Sequence, residues 1–229
     1  MIELLPAYPR IPHLPHNPNM SVGDIIASND TAKIIWSSKN VSIQEKADGA
    51  NLGIAIIDGY PTMRNRDKFL SKATIKKTAA KQQFKFAWNW IYEHKKEIEK
   101  AGPYSFYGEW LLAAHGINYN KLTDWFYVYD VLDQKKCLFL DILEAQKIAE
   151  DAGLSFIKPL HYGSIDNYEQ LIAFAEDKTS LAENEQREGI VVKVSDGKYI
   201  TNLFKMVRSG YEQGKLWDTQ TITKNKLEK

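Results

Sequence analysis

The sequence predicts an α+β fold in which antiparallel sheets are flanked by helices. Two turn signals, Asp58-Gly59 and Asp196-Gly197, each lie between stretches rich in β-branched and aromatic residues, which is typical of β-hairpins. Helix signals occur in three segments between these hairpins. No internal repeat or low-complexity linker divides the 229 residues, so we expect a single domain over residues 1–229.

The first part of the chain is predicted to form an arm and three strands. Five prolines within residues 6–18 predict an extended arm over about residues 1–20, because proline interrupts helices. A turn that holds Asp48 and Gly49 joins the first two strands, and Asp58-Gly59 joins the second to the third. The three predicted strands are residues 41–47, 51–58 and 60–64.

The rest of the chain is predicted to alternate between helices and strands. A helix over residues 78–100 ends at Gly102-Pro103, a second begins with the capping pattern of Asp141 and Glu144, and a third lies near Tyr168. The predicted strands are residues 104–109, 125–132, 190–194 and 199–205. We expect the end of the chain, residues 224–229, to be a solvated tail.

Composition narrows the class of protein. Hydrophobic residues make up 44% of the chain and aromatic residues 12%, which is enough for a core. The net charge is only +1, so binding to nucleic acid would require a local basic groove. The single cysteine, Cys137, excludes an internal disulfide. Without a signal-peptide pattern or a membrane-length apolar run, we expect a cytoplasmic location.

Short motifs that combine charged residues with apolar strand residues follow one another in a fixed order. Two of the acids, Glu109 and Glu188, adjoin a glycine and apolar strand residues, which is unusual company for a solvated glutamate. The motifs are Glu45-Lys46-Ala47-Asp48-Gly49-Ala50-Asn51, Phe106-Tyr107-Gly108-Glu109, Phe126-Tyr127-Val128-Tyr129-Asp130, Glu188-Gly189-Ile190-Val191-Val192-Lys193 and Leu203-Phe204-Lys205.

This ordered series resembles the covalent nucleotidyltransferases, which comprise DNA ligases, RNA ligases and mRNA capping enzymes. The resemblance runs from about residue 8 to residue 217 and is strongest to small ATP-dependent RNA ligases. It implies a ligase adenylation domain of antiparallel sheets flanked by helices. Further features that carry it are the arm Tyr8-Pro9-Arg10-Ile11-Pro12-His13-Leu14-Pro15, His115 after Gly108-Glu109-Trp110-Leu111, and Tyr211 and Trp217 after Lys205-Met206-Val207-Arg208.

The resemblance implies that Lys46 attacks the α-phosphate of a nucleotide and carries the nucleotide covalently. A protonated lysine is a poor nucleophile, so we expect burial or neighbouring cations to lower the pKa of Lys46. Lys193 and Lys205 are the candidate cations, one on each strand of the late hairpin, and they would also neutralise charge on the phosphate. The alternative is that all three are ordinary exposed lysines.

Two glutamates are the candidate acids of the site. In the family, the acid at the position of Glu109 contacts the ribose, and the acid at Glu188 helps to hold the metal and its waters. Oxygen ligands suit Mg²⁺, so the implied cofactors are ATP and Mg²⁺, with Mn²⁺ as a substitute. The alternative is two strand-end glutamates paired with surface lysines.

The remaining nucleotide contacts are also assigned by the resemblance. Tyr129 is expected to stack on the base, although an aromatic stripe on a strand is more often core. Glu45 is expected to line the base pocket. Arg64 is the first choice for an arginine that touches the nucleotide, and Arg66 is the reserve. The turn residues Asp48, Gly49 and Asn51 complete the predicted nucleotide-binding set.

Two features depart from the family pattern. Its last motif often carries a second lysine where this chain has Val207, and Arg208 is a possible substitute. Barely a dozen residues follow Trp217, so we expect a free-standing catalytic core without an appended C-terminal domain.

His13 and His16 lack the partners of a zinc site and are interpreted as arm residues. His115 borders the expected pocket without an assigned role.

The predicted function is that of an ATP-dependent RNA ligase. Lys46 forms a lysyl-AMP, the AMP passes to the 5′-phosphate of a polynucleotide, and a 3′-hydroxyl then seals the strand. The expected partner is nucleic acid, as RNA ends or a nicked duplex. A partner protein that strengthens binding of the nucleic acid is a further expectation, and no association with a membrane is expected. The alternatives are a minimal DNA ligase, a GTP-using guanylyltransferase and a non-catalytic nucleic-acid-binding module with a relic pocket.

Overall fold

The computed structural model describes residues 4–20, 23–71, 79–214 and 222–228. The described chain has the predicted α+β fold, with helices on the outer faces of two sheets that are antiparallel except for the parallel pairing of Ser155–Phe156 with Phe126–Asp133. The strands are β1 Val41–Glu45, β2 Ala50–Ile57, β3 Tyr60–Arg64, β4 Phe69–Leu70, β5 Tyr104–Trp110, β6 Phe126–Asp133, β7 Leu138–Phe139, β8 Ser155–Phe156, β9 Pro159–Gly163, β10 Gly189–Ser195 and β11 Ile200–Val207. The helices are α1 Asn29–Ala32, α2 Ile34–Ser37, α3 Ala79–Glu93, α4 Lys95–Ala101, α5 Ile142–Asp151 and α6 Tyr168–Glu176.

The smaller sheet has four strands in the order β11-β10-β1-β9. Both predicted strands of the late hairpin are confirmed as β10 and β11, which pair through Val191 and Lys205. The larger sheet has seven strands, in the order β4-β3-β2-β5-β6-β7, with β8 paired to β6. It contains the early hairpin of β2 and β3 that Asp58-Gly59 predicted.

The first two predicted strands lie in different sheets. β1 pairs with β10, whereas β2 pairs with β3 and β5. The turn that holds Asp48 and Gly49 therefore carries the chain from one sheet to the other. A residue at this turn faces the space between the two sheets.

Helices cover the outer face of each sheet and pack there against apolar side chains. α3, α4 and α5 pack on the larger sheet, where Trp110 and Phe126 are fully buried. α1, α2 and α6 pack on the smaller sheet around Ile43 and Phe204. Because strand side chains alternate, the remaining side chains point into the space between the sheets, where Tyr107 and Tyr127 lie.

The predicted helix over residues 78–100 is interrupted. It forms α3 and α4, which meet at His94, and its predicted first residue, Thr78, lies outside the described residues. Gly102 ends α4 with φ +106°, a conformation that favours glycine. The capping residue Asp141 accepts a hydrogen bond from the backbone N–H of Leu143 at the start of α5.

The N-terminal arm makes hydrogen bonds to both sheets. In the described part, residues 4–20 contain no helix, in agreement with the proline pattern. The carbonyls of Leu4 and Pro6 accept hydrogen bonds from Ser105 and Tyr107 of the larger sheet. On the smaller sheet, the backbone N–H of Lys205 donates to Pro12. The arm is therefore an integral part of the domain.

The end of the chain is packed where it is described. Asn225 is only 3% exposed and donates hydrogen bonds to the carbonyls of Leu111 and Ala113. The expectation of a solvated tail is therefore wrong for this residue. None of the helices in the described ranges has the length and hydropathy that crossing a membrane requires.

Candidate functional site

A cleft of about 800 Å³ opens between the two sheets. Seven of the predicted site residues line it: Lys46, Asp48, Gly49, Asn51, Glu109, Glu188 and Lys205. These residues come from the end of β1, the following turn, β2, β5, β10 and β11. The fold thus brings together side chains that are up to 159 positions apart in the sequence, between Lys46 and Lys205.

Lys46 lies at the end of β1, where the chain leaves the smaller sheet. Its backbone N–H donates to the carbonyl of Gly189, which fixes its position beside β10. Its Nζ is 2.7 Å from Oε1 of Glu188, and the lysine side chain is 28% exposed. The amine is therefore accessible from the cleft while it is held by a buried carboxylate.

The turn after Lys46 is held in place by its own residues. The carboxylate of Asp48 accepts hydrogen bonds from the backbone N–H groups of Gly116 and Ile117. A Cβ on Gly49 would lie 2.6 Å from Leu111 Cδ2, closer than side chains allow. The motif thus requires an acid and a glycine for structural reasons, apart from any contact with a nucleotide.

The two candidate acids are buried close to the amine. Burial raises the pKa of Glu109 to about 8, and the neighbouring charges of Glu188 and Asp48 add to this effect against the opposing charge of Lys46. Burial also raises the pKa of Glu188. Oε2 of Glu188 is buried without a hydrogen-bond partner in the part of the chain that the structure describes. Such an atom fits a ligand to a cation or to a bound water.

The expectation that the pKa of Lys46 is lowered is wrong for the nucleotide-free protein. Burial does lower it, but the charges of Glu188 and Glu109 outweigh burial, and the pKa of Lys46 is raised. The amine is therefore protonated in this state. It becomes a nucleophile only if the negative charge of its neighbours is neutralised.

Lys205 faces the cleft from β11. Its Nζ is 3.9 Å from a carboxylate oxygen of Asp24, and its side chain is 23% exposed. Burial lowers the pKa of Lys205, and the positive charge of Lys46 lowers it further. The two lysines are thus close enough to affect each other, as the late-hairpin prediction requires.

The prediction that Lys193 contacts the phosphate is wrong. Its side chain is 2% exposed, and its Nζ donates to Oδ1 of Asp130 at 2.5 Å and to the carbonyl of Tyr129 at 2.7 Å. Lys193 shares a face of β10 with Val191, which lines the cleft, but lies two residues deeper. The hydroxyl of Tyr8 donates to the other oxygen of Asp130 and completes a buried network.

Tyr129 lies beside the cleft and not on its surface. Its hydroxyl accepts a hydrogen bond from Nδ2 of Asn51, which does line the cleft. The ring of Tyr8 packs edge-on against the ring of Tyr129, with 5.0 Å between the two ring centroids. Stacking of a base on Tyr129 stays a prediction.

The choice between the two early arginines is reversed by the structure. Arg64 is 7% exposed, its Nη1 donates to the carbonyl of Leu5, and its guanidinium lies over the ring of Phe69. Arg66 is exposed and lines the cleft. Arg64 therefore holds the arm, and the reserve choice is the one placed to meet a ligand.

Glu45 is not brought into the cleft. It opposes Ile190 on β10, and its side chain does not line the cleft. Its carboxylate accepts a hydrogen bond from the hydroxyl of Thr179. Burial raises the pKa of Glu45, and the charge of Arg187 opposes this effect. The structure thus contradicts its assignment to the base pocket.

Arg208 does not take the place of the missing lysine. Its Nε donates to the carbonyl of Arg187, and its guanidinium lies over the ring of Tyr211. The side chain at the position in question, Val207, lines the cleft and supplies no charge. Trp217, the last residue of the resemblance, lies outside the described residues.

Several residues before β1 that line the cleft were not assigned to the site from the sequence. Arg10, His13 and Asp24 all border it. Nε2 of His13 is 3.2 Å from Asp24, and burial together with Lys205 lowers the pKa of this histidine. His115 lines the cleft as expected. The strand-like bonding of the arm to β11 explains its place at the site, and proline spacing alone gives no signal for it.

A complete metal site made of protein ligands alone is not present among the described residues. They contain no group of three His, Cys, Asp or Glu side chains arranged to hold a metal ion. Mg²⁺ in nucleotide enzymes is commonly held by one or two carboxylates together with phosphate oxygens. The partnerless oxygen of Glu188 fits a site of that kind.

The fold and the cleft together define a nucleotidyltransferase domain with a lysine at its centre. The model of the family described as RNA ligase matches residues 39–207. This range contains β1 to β11 and every cleft residue discussed above except those of the arm. The chain therefore belongs to the RNA ligase family. No curated protein sequence matches it.

Solved structures with the same fold come from the RNA ligase of Naegleria gruberi. The structure with PPi has a TM-score of 0.60 and 21% identity, covering 89% of this chain and 61% of that chain. Two mutants with ATP and Mn have TM-scores of 0.60 and 0.57 at 19% identity. They cover 89% and 80% of this chain and 62% and 53% of those chains. The present chain thus spans less than two thirds of each ligase chain.

Proposed function

We propose that this protein is an ATP-dependent RNA ligase that works through a covalent lysyl-AMP. The amine of Lys46 attacks the α-phosphorus of ATP, a nitrogen–phosphorus bond forms, and pyrophosphate leaves as the bond to the β-phosphate breaks. The AMP then passes to the 5′-phosphate of a polynucleotide. A 3′-hydroxyl attacks that activated end, which forms a phosphodiester and releases AMP.

The contact between Lys46 and Glu188 carries this proposal. A lysine held at 2.7 Å from a buried carboxylate, with a second acid and a second lysine beside it, has an environment that can change its protonation. Family membership adds a reason to choose nucleotidyl transfer over other lysine chemistry. A relic pocket would have no need to keep these side chains together.

ATP and a divalent cation are the proposed cofactors. Mutants of the Naegleria gruberi ligase were solved with ATP and Mn, and Mg²⁺ is the ion expected here. Glu188 is the residue proposed to hold the ion together with phosphate oxygens. A bound cation supplies positive charge that offsets the acids around Lys46. Lys46 can then lose its proton, and Lys205 stabilises the charge that develops on the α-phosphate.

The other cleft residues take supporting roles in this proposal. Glu109 accepts from the ribose hydroxyls, and Arg66 meets phosphate in place of Arg64. Asn51 binds the nucleotide directly and links it to Tyr129, whose hydroxyl it holds at 2.5 Å. Asp48 and Gly49 act by fixing the turn that presents Lys46.

Nucleic acid is the proposed partner, with RNA on the 3′-hydroxyl side. A net charge of +1 provides few phosphate contacts, so substrates whose ends are already aligned should be sealed best. Three further expectations stay predictions. They are a partner protein that strengthens binding of the nucleic acid, a single domain over residues 1–229, and a cytoplasmic location. The single cysteine is compatible with a reducing compartment.

The test compares sealing of pre-adenylylated nicked duplexes that carry RNA or DNA on the 3′-hydroxyl side. We expect the RNA nick to be sealed faster. Equal or faster sealing of the all-DNA nick would replace the proposal with the minimal DNA ligase. Labelling of the protein with α-labelled GTP in preference to ATP would instead indicate a guanylyltransferase.

A further inference from the structure

The described cleft lacks an excess of positive charge. Its cationic side chains are Arg10, Lys46, Arg66 and Lys205, and its acidic side chains are Asp24, Asp48, Asp67, Glu109 and Glu188. Two of the four cations are already paired, Lys46 with Glu188 and Lys205 with Asp24. A triphosphate therefore depends strongly on the cations that remain, and Val207 provides none.

Arg10 is one of these remaining cations. It is exposed, it lines the cleft, and its guanidinium makes no hydrogen bond or ion pair to another side chain within the described ranges. Arg66 is similarly exposed on the opposite wall, after β3.

The backbone of the arm fixes Arg10 relative to Lys205. Two residues after Arg10, the carbonyl of Pro12 accepts from the backbone N–H of Lys205 at 2.9 Å. Leu14 then donates to the carbonyl of Lys205, also at 2.9 Å. Two residues span at most about 7 Å, so Arg10 stays within side-chain reach of the phosphate that Lys205 meets.

We propose that Arg10 binds the β- and γ-phosphates of ATP and supplies the charge that is absent at Val207. The α-phosphate must lie against Lys46 and near Lys205, so the outer phosphates point toward the exposed rim where Arg10 lies. A guanidinium offers two parallel donors that match phosphate oxygens. This inference rests on the proposed function, because it concerns the nucleotide of the same site.

The first experiment measures lysyl-AMP formation by the full-length protein as a function of ATP concentration. Arg10→Ala should raise the KM for ATP about tenfold or more, as expected for the loss of one charge-assisted pair. Sealing of a pre-adenylylated nick, which needs no triphosphate, should stay unchanged. Arg10→Lys should recover part of the loss. Lys39→Ala, an exposed lysine away from the cleft, is the control and should match wild type.

The second experiment tests whether Arg10 stands in for the missing lysine. Val207→Lys, added to Arg10→Ala, should lower the KM for ATP toward that of wild type. Because Val207 is only 8% exposed, a lysine there can destabilise the domain, so the Tm of each variant is measured. Methylguanidinium added to Arg10→Gly provides an independent rescue that leaves position 207 intact.

The outcomes separate this inference from the proposed function. Wild-type protein that forms no lysyl-AMP contradicts the proposed function itself. Normal lysyl-AMP formation with an unchanged KM in Arg10→Ala overturns only the role of Arg10. A selective loss of nick sealing assigns Arg10 to the nucleic-acid strand and also overturns the inference. A raised KM in Arg10→Ala that Val207→Lys does not reduce would overturn the claim that Arg10 supplies the charge absent at Val207. A raised KM in Arg10→Gly that methylguanidinium does not reduce would overturn phosphate binding by the guanidinium.

Discussion

The space between the two sheets has a closed end and an open end, and both contain a lysine beside a carboxylate. At the closed end, Lys193 lies 2.5 Å from Asp130, and Tyr8 binds the second oxygen of the same carboxylate. At the open end, Lys46 lies 2.7 Å from Glu188, whose second oxygen has no partner in the described residues. The two pairs are chemically alike, but only one is complete.

This difference separates a structural ion pair from a reactive one. The oxygens of Asp130 and the amine of Lys193 all have protein partners, so a ligand finds no free group to bind at the closed end. Burial raises the pKa of the acids at both ends, but only the open end has an accessible amine and a carboxylate oxygen without a partner in the described residues. Charge supplied by a ligand would change the protonation of that end and leave the other unaffected.

The largest expected effect is the loss of stability when the closed pair is broken. Lys193→Met leaves Asp130 buried without its cation and should lower the free energy of unfolding by about 3–5 kcal/mol. Urea denaturation measures this change. Lys39→Met, at an exposed lysine, is the matched control and should have no effect. Removing both charges, with Lys193→Met and Asp130→Leu, should restore much of the loss. A change below about 1 kcal/mol for Lys193→Met would contradict the structural role.

The next effect concerns chemistry at the open end. Lys205→Ala should slow lysyl-AMP formation by about 10²-fold, because one charge contact to the developing phosphate charge is lost. Unlike Lys193→Met, it should leave the urea midpoint close to that of wild type. Rapid-quench labelling at saturating ATP measures the rate. A large loss of stability with normal chemistry would reverse the assignment of the two lysines.

A smaller effect isolates the contribution of the arm to the closed end. Tyr8→Phe removes only the hydroxyl that binds Asp130 and should cost about 1–3 kcal/mol of stability, because a buried carboxylate oxygen loses its donor. Tyr60 is 74% exposed. Tyr60→Phe is therefore the control for the loss of a tyrosine hydroxyl that makes no such bond. If both variants have the same stability, the arm does not complete the network.

A further effect, spread over a range of pH, is a pH dependence that belongs to the open end. Burial raises the pKa of Glu109 from 4.5 to about 8 in the folded, nucleotide-free protein. Between these values the folded state binds more protons than the unfolded chain, so this group makes stability fall as pH rises from about 5 to 8. The slope for one group is at most about 1.4 kcal/mol per pH unit.

Glu109→Gln should remove that slope. Measured in EDTA by urea denaturation, the variant should gain stability relative to wild type as pH rises from about 5 to 8, and the gap should close toward pH 4. Glu99→Gln, on an exposed part of α4, should follow the wild-type curve. Parallel curves for Glu109→Gln and wild type would show that this carboxyl does not have a raised pKa.

Local patterns in the sequence predicted the fold, and the resemblance to the nucleotidyltransferases predicted most of the cleft. The Asp58-Gly59 and Asp196-Gly197 turns define hairpins without any knowledge of tertiary contacts. The structure explains why Gly49 is a glycine, because a Cβ at this position would clash with Leu111. The order of motifs was sufficient to place Glu109, Glu188 and Lys205 around one lysine.

The errors arose where depth or face decides the role of a residue. Lys193 and Val191 share a face of β10, and alternation cannot tell which one lies at the open end. Glu45 is adjacent to Lys46 in sequence, but its carboxylate accepts a hydrogen bond from Thr179 and does not line the cleft. Arg10 was missed because only the tertiary bonding of the arm to Lys205 places it at the cleft.

The central claim is that Lys46 is the residue that carries AMP. The most direct measurement is mass spectrometry of peptides from protein incubated with ATP and Mg²⁺, kept at neutral pH to preserve the phosphoramidate. The account predicts an AMP adduct on the peptide that contains Lys46, and no adduct in Lys46→Arg protein that retains the wild-type Tm. An adduct on Lys193, Lys205 or another residue, or full adenylylation of Lys46→Arg, would contradict it.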